Sequence, residues 1–547
     1  MLPVNRRTFL QTSAVTAAAG MSGVAFAAEK PNVRTGLSLN DDGHVFLYMS
    51  DDLHKEDLRR YLESFCRPGV NTVTFCVGDM SWPTFYPTKA GVHYSAMSPG
   101  GDLKKVRARR NLDNFASEPG GFHGETFRIL RDLGKTTLAS FRMNDAHFTT
   151  PDNPDVSEFW KKHADLALGS VYGYYGGCLN YASNVVRDHF YQRVVEFMEL
   201  YPDIDGLELD AMRSPYFFLP DKGIELAPLF TELVKRIKQA LSDQAKRLNR
   251  PDYLLTINVP IEPELCLESG LDVAAWDAEK LFDCVSVGTY QVNMNLPMEQ
   301  WQKVLVNDTP VFSYINCSPQ SGRYLDLEEY RAAAANAYGA GADGVYLFNY
   351  PCLFELATQV PSDAAQVPVT LSDLRTHGQS DFSTVTQALD ELGDPEILRN
   401  KNKRYLFDFS EGSGYRHFVP IGPSIDRATQ GAELRTNFRC YDDYDRARSL
   451  VLKFKIENVF RTERFAITLN GKPVDESALT IRSAAGGRDT RMHTITLGPY
   501  LEYELAPKAE ELVRGENTLT VTPKVMTPNF SGSINLREVS LAISFQA

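Results

Sequence analysis

Asp205-Gly206-Leu207-Glu208-Leu209-Asp210-Ala211-Met212-Arg213-Ser214-Pro215 lies in the first half of a 547-residue chain. Read as a short strand closing towards a proline, it puts Glu208 and Asp210 on one face, about 6.6 Å apart along the strand. Leu207, Leu209 and Ala211 take the other face. Two carboxyls on one face of an apolar strand are costly to bury unless they have a function.

Seven further short apolar runs flank this one. They are His44–Ser50, Asn71–Val77 and Thr136–Met143 before it. Tyr253–Val259, Cys284–Tyr290, Pro310–Ile315 and Gly344–Asn349 follow, with Gly206–Met212 as the fourth of eight. Helical patterns separate them, among them Lys55–Phe65, His189–Leu200, Ala227–Leu248 and Leu327–Tyr338. Eight strand–helix units over roughly 300 residues predict an α/β fold, a (β/α)8 TIM barrel. The competing doubly wound sheet calls for a glycine-rich phosphate turn, and the sequence has none.

The pattern changes further on. One helix is expected over Ser383–Leu398. From Arg404 short alternating strands take over, such as Leu450–Ile456, Arg464–Leu469 and Thr518–Pro523. Asn470-Gly471 marks a two-residue hairpin, and Arg514-Gly515-Glu516-Asn517 a second turn. Many short strands and few helices predict an all-β sandwich, and with Leu469-Asn470-Gly471 and Arg514-Gly515-Glu516-Asn517-Thr518-Leu519-Thr520-Val521 the module resembles the jelly-roll accessory domains attached to many glycosidases. The expected domains are a signal peptide over 1–27, a barrel over 28–375, a linker with a helix over 376–403 and a sandwich over 404–547.

Asn5-Arg6-Arg7-Thr8-Phe9-Leu10-Gln11, a weakly apolar stretch and Ala25-Phe26-Ala27 read in order as a twin-arginine signal with its cleavage site. The mature protein is therefore expected in the periplasm or outside the cell. No other run approaches the roughly 20 apolar residues of a membrane span. Without Arg6 and Arg7 the formal charge moves from −13 to −15, an acidity that argues against nucleic acid as a partner. The eight cysteines contain no CxxC and read as buried free thiols rather than a disulfide framework. No zinc spacing occurs, and neither a metal nor a cofactor is expected.

Catalytic residues of such barrels sit where strands end at the C-terminal mouth. Asp210 ends the fourth strand, and Glu208 lies one step below it. The third strand runs into Arg142-Met143-Asn144-Asp145-Ala146-His147, four polar groups crowding one end. Asn144 is placed to bond a sugar 2-OH, and Arg142 and His147 to set the ionisation of a neighbouring acid. Arg213 is expected to meet Glu208 or Asp210. The fifth strand leads to Pro260-Ile261-Glu262-Pro263-Glu264, where prolines stiffen the backbone. Glu262, with Glu264 behind it, is the candidate general acid. Asp51, Asp52, Asp79, Trp82, Tyr290, Gln291, Asn316, Asn349 and Tyr350 complete the expected mouth. Asn316 ends the seventh strand in place of an acid, against the arrangement with acids on strands four and seven. Two long loops, from Asp79 to about Gly121 and from Asp145 to about Asn180, carry aromatics (Tyr172, Tyr174 and Tyr175 in the second) suited to stacking on sugar rings.

Val185-Val186-Arg187-Asp188, then Tyr201-Pro202-Asp203-Ile204-Asp205-Gly206-Leu207-Glu208-Leu209-Asp210 with Arg213 and Pro215, resemble the bacterial "glycoside hydrolase family 10-like" glycosidases. The Arg142–His147 run resembles a segment of a marine branch of that group. The resemblance spans roughly 130–350. It implies a (β/α)8 hydrolase acting on a poly- or oligosaccharide, with Asp210 in the active site.

The expected function is an exported glycosidase with Asp210 as nucleophile or base and Glu262 as acid. One alternative is a carbohydrate-binding protein without catalysis. A second is a metal-dependent hydrolase or lyase, with Asp79, Asp145, His147 and Asp210 gathered on a divalent ion. Arg107, Arg109 and Arg110 read either as a solvated patch or as a hint of an anionic glycan. The sequence leaves the oligomeric state open.

Overall fold

The computed structural model describes residues 33–43, 45–48, 52–91, 93, 103–146, 149–153, 155–289, 294–316, 325–351, 382–407, 422–429, 431–488 and 496–545. The signal segment, Asp51, His147, Tyr290, Gln291, Cys317 and Cys352 lie outside these residues.

Eight parallel strands close into a barrel in sequence order. They are β1 (Gly36–Asp41), β2 (Val70–Asp79), β3 (Thr136–Arg142), β4 (Gly206–Asp210), β5 (Leu254–Pro260), β6 (Cys284–Gly288), β7 (Val311–Asn316) and β8 (Gly344–Phe348). Seven match the expected runs to within a few residues. The first does not. β1 is Gly36-Leu-Ser-Leu-Asn-Asp, and Val45–Tyr48 within the expected strand is a helical turn. Four consecutive apolar residues carry no period that separates a strand from a buried helical turn.

Period-two alternation sorts each strand into two faces. Leu37, Leu39, Val73, Leu207, Leu209, Leu255, Ile257, Val285 and Leu347 belong to the large apolar core shared with the surrounding helices. Leu138, Leu254, Cys284, Phe312, Tyr314, Tyr346 and Phe348 form a smaller cluster on the opposite face, inside the barrel. The helices form for local reasons. Lys55–Phe65 buries Leu58, Tyr61, Leu62 and Phe65, one stripe at helical spacing. Leu327–Ala340 opens on an Asp326/Glu329 capping box and stops at Gly341, whose φ is 103°. The helix expected over Ser383–Leu398 is two, Phe382–Glu391 and Pro395–Leu398. Pro395 cannot continue the first and is suited to starting the second.

Among the described residues, the C-terminal region holds two large antiparallel sheets and a two-stranded one, Gly487–Arg488 with Thr496–Leu497. One large sheet orders Ser424–Asp426, Ser533–Ser544, Ser449–Glu457, Tyr500–Leu505 and Thr480–Ala484, with Lys403–Phe407 also on Ser533–Ser544. The other orders Leu434–Cys440, Gly515–Val525, Arg464–Leu469 and Lys472–Pro473. Asn470 and Gly471 have φ of 52° and 76°, the two positive values a type I′ hairpin requires. The turn expected at 514–517 is instead the start of a strand, because Gly515 to Asn517 pair with Phe438 to Cys440. The sandwich docks on helix Leu327–Ala340. Asn336 donates to the Arg439 carbonyl at 2.8 Å and accepts from the Tyr441 amide at 3.1 Å.

Cys66, Cys76, Cys178, Cys266, Cys284 and Cys440 are free thiols. Among the described residues no helix is long and apolar enough to cross a membrane.

Candidate active site

Strand register builds the site in rungs. Ser140, Glu208, Thr256 and Cys284 stand level on β3 to β6. One step towards the mouth, Arg142, Asp210, Asn258 and Ser286 stand level. Asp79 on β2 is level with Arg142 and joins this upper rung.

Asp210 is fully buried. Its Oδ1 accepts from the amides of Met212 and Arg213 and from Asn258 Nδ2, each at 3.1 Å. Its Oδ2 has no hydrogen-bond partner among the described residues. Burial raises the carboxyl to about 6, against the pull of Arg142, of Arg213 and of the two amides. Beneath it, Glu208 Oε1 accepts from Ser140 Oγ at 2.8 Å and from Tyr346 OH at 2.9 Å. Burial first, then the charge of Asp210, raises Glu208 to about 8, opposed by those two hydrogen bonds. Near neutral pH the lower acid therefore holds a proton while the upper one ionises, the separation that acid–base work exploits.

The sequence placed Arg142 and Arg213 here, and the structure supplies their partners. Asp145 Oδ2 accepts from Arg142 Nη1 at 3.4 Å and from Arg213 Nε at 3.3 Å. Arg142 also pairs with Asp42, just after β1. Arg213 gives its backbone amide to Asp210 Oδ1 and its guanidinium pairs with Asp145. Asp79 Oδ1 accepts from the amides of Ser81 at 2.6 Å and half-exposed Trp82 at 2.8 Å. Burial and then the Asp145 charge raise Asp79 to about 7, opposed by Arg193.

Asn144 is corrected from sugar contact to scaffold. Its Nδ2 donates to the carbonyls of Leu179 (2.9 Å) and Tyr216 (2.6 Å), and its Oδ1 accepts from the Leu179 amide at 2.8 Å. Both of its N–H donors are spent on these carbonyls, and the side chain is fully buried. Glu262 is half-buried and sits at the N-cap of helix Pro263–Glu268, not in a stiff loop. Glu264 is exposed in the first turn of that helix, which removes the burial a proton-holding carboxyl needs. Asn316 is buried at the end of β7. Asn349 follows β8 with φ of 55°, and its buried Oδ1 has no partner among the described residues. Asp52 belongs to the surface, where it accepts from Asn114 Nδ2 at 2.8 Å. The misplaced first strand had put it at the mouth, a place that Asp42 takes.

Asp42, Asn258, Ser140 and Tyr346 were missed. Gly36-Leu-Ser-Leu-Asn-Asp-Asp-Gly alternates and ends on a turn, a signal that could have found Asp42. Ser140 and Tyr346 meet Glu208 from β3 and β8, partners that only barrel closure brings together. In the loops, Tyr172 and Tyr175 pack on Tyr216 with ring centroids 4.6 and 5.2 Å away. Arg107, Arg109 and Arg110 lie on helix Leu103–Asp113. No group of three or more His, Cys, Asp and Glu among the described residues is arranged to hold a metal ion.

No protein-family model matches this chain, and no curated protein matches it. Solved structures with a similar course of chain include three glycoside hydrolases. The PgaB (BpsB) glycoside hydrolase domain of Bordetella bronchiseptica is 13% identical, with TM-score 0.36, covering 62% of this chain and 99% of its own. A GH18 chitinase of Pseudoalteromonas aurantia is 11% identical, with TM-score 0.31, covering 58% and 95%. A noncanonic maltogenic alpha-amylase AmyB of Thermotoga neapolitana is 11% identical, with TM-score 0.36, covering 89% and 99%. At these values no residue of theirs is carried over to this chain.

Proposed function

We propose that this protein is an exported glycoside hydrolase acting on a poly- or oligosaccharide at the C-terminal mouth of its barrel. The observation that carries the reading is Asp210. Three donors fix one of its oxygens, the other is buried without a partner, and a proton-holding carboxyl lies directly below. A carboxylate so held is preorganised to attack an anomeric carbon, or to take a proton from the water that does. Glu208 acts through Asp210, and Arg142 and Arg213 hold Asp145 at the rim. Half-buried Trp82, Tyr172 and Tyr175 are the aromatics suited to stacking on sugar rings, with buried Tyr216 backing the two tyrosines. The family 10-like sequence motif around Asp210 supports the same reading, as does the twin-arginine leader for export.

The test is product release from a panel of neutral, uronic and sulfated glycans by the wild-type protein and by Asp210→Asn. Cleavage by the wild type and none by the variant is the expected result. A glycan that binds both proteins and is cleaved by neither would replace this reading with the carbohydrate-binding one.

A further inference from the structure

We propose that Asp79, rather than Glu262, is the proton donor to the departing glycosidic oxygen. The inference rests on the glycosidase reading above and names the second carboxyl of that same site.

The argument begins with a β-bulge. β2 pairs Cys76 with Ser140, then Gly78 with Phe141 and Asp79 with Arg142, so Val77 is passed over. Regular alternation from the inward Cys76 would turn Asp79 outward, towards the helices. The extra residue reverses that parity and turns Asp79 to the face that carries Arg142 and Asp210. Gly78 makes the bulge feasible. Its φ is 153°, and a Cβ there would lie 3.0 Å from Arg193 Nη2.

Two strand spacings separate Asp79 from Asp210, roughly 9 Å between Cα atoms, with Arg142 level between them. Side chains converging from that separation reach the range of carboxyl pairs in glycosidases, about 5–9.5 Å. The thiol of Cys76 reports the same neighbourhood. It is raised chiefly by burial, with Asp79, Asp210 and Asp145 adding to the effect. The two amide bonds to Asp79 both fall on Oδ1, so Oδ2 is the oxygen available to carry a proton. Raised to about 7 by burial and then by the Asp145 charge, Asp79 holds that proton in a large share of molecules up to neutrality.

In the step, the Oδ2–H proton passes to the glycosidic oxygen as the C–O bond breaks and its electron pair goes to that oxygen. Asp210 attacks the anomeric carbon, or takes a proton from the attacking water. After attack by Asp210, water displaces it from the anomeric carbon and gives its proton to the Asp79 carboxylate; after attack by water, Asp210 releases the proton it took to solvent and Asp79 regains one from solvent.

The experiment compares wild type, Asp79→Asn, Asp79→Ser and Glu262→Gln on two substrates. One is the glycan the wild type cleaves. The other is a dinitrophenyl glycoside of the same sugar, whose leaving group departs without a proton. Asn and Ser both retain an oxygen for the Ser81 and Trp82 amides. The expected result is a 10²–10⁴-fold loss of kcat/KM on the glycan for both Asp79 variants, with near-wild-type kcat/KM on the aryl glycoside. The fall of activity at alkaline pH should also disappear, and Glu262→Gln should behave as wild type. Equal losses on both substrates, or the donor pattern appearing in Glu262→Gln, would overturn the assignment. A wild type that cleaves no glycan of the panel overturns the glycosidase reading itself.

Discussion

Buried carboxyls of the sandwich and those at the mouth of the barrel are treated in opposite ways. In the sandwich, Glu463 pairs with Arg427 and accepts from the amides of Phe460 at 2.9 Å and Thr527 at 2.8 Å. Burial would raise it, but the two amides and Arg427 outweigh burial, and its titration is lowered. Glu457 accepts from Arg537 at 3.0 Å, Asn535 at 3.2 Å and the Gly498 amide at 2.9 Å. In the barrel, Asp79, Glu208 and Asp210 are all raised, and Asp210 keeps an orphaned oxygen. A carboxylate that only braces a fold is surrounded until its charge is satisfied. One poised for chemistry is left short of partners, at a cost to stability.

That contrast is open to attack by mutation. The largest expected effect is on Asp210→Asn, which should lower glycan turnover by roughly 10³-fold or more, about 4 kcal/mol in the barrier. Its melting temperature should hold or rise, since the substitution removes an undersatisfied charge. Arg427→Met should do the reverse. It strands Glu463 and should cost about 3 kcal/mol in denaturant unfolding, while activity per folded molecule stays unchanged.

Next in size is the pH response. A carboxyl raised in the folded state keeps its proton where the unfolded chain has lost it. Glu208 thus makes stability fall as pH rises from about 4.5 to about 8, and the dependence ends above that. Glu463, lowered on folding, contributes stability above its unfolded value, and that contribution is lost as pH falls through its folded value. Melting curves from pH 5 to 8 should therefore flatten in Glu208→Gln, whose amide oxygen still accepts from Ser140 and Tyr346. An unchanged slope would mean that Glu208 is already ionised in the fold. The smallest effect is expected at Gly471→Ala, about 1 kcal/mol for a Cβ at φ of 76°. Equilibrium unfolding should detect it without any change in activity.

The parts legible in the sequence were those encoded locally. Seven of the barrel strands, helix Lys55–Phe65 and the Asn470-Gly471 hairpin carry their period or turn chemistry within a few residues. Asp210 was legible too, because a strand ending in an acid before Arg213 and Pro215 is a local pattern. The rest depends on closure. Nothing near Glu208 announces Tyr346, which reaches it from four strands away. The inward turn of Asp79 depends on a bulge at Val77-Gly78, and alternation alone gives the wrong face. Asn144 looked like a ligand contact because its position fits one, but its bonds to Leu179 and Tyr216 show it joining two loops. The first strand failed for a different reason, as an apolar run drew attention away from a better alternating one.

The most direct test of the central claim is the pH profile of kcat/KM on the best-cleaved glycan, from about pH 4 to 9. A bell is expected. Its acidic limb should lie near 6, where Asp210 ionises, and its alkaline limb near 7, where Asp79 loses its proton. A rate that stays flat between pH 5 and 8 would contradict the account, because it would mean that no acid–base pair at the barrel mouth governs the reaction.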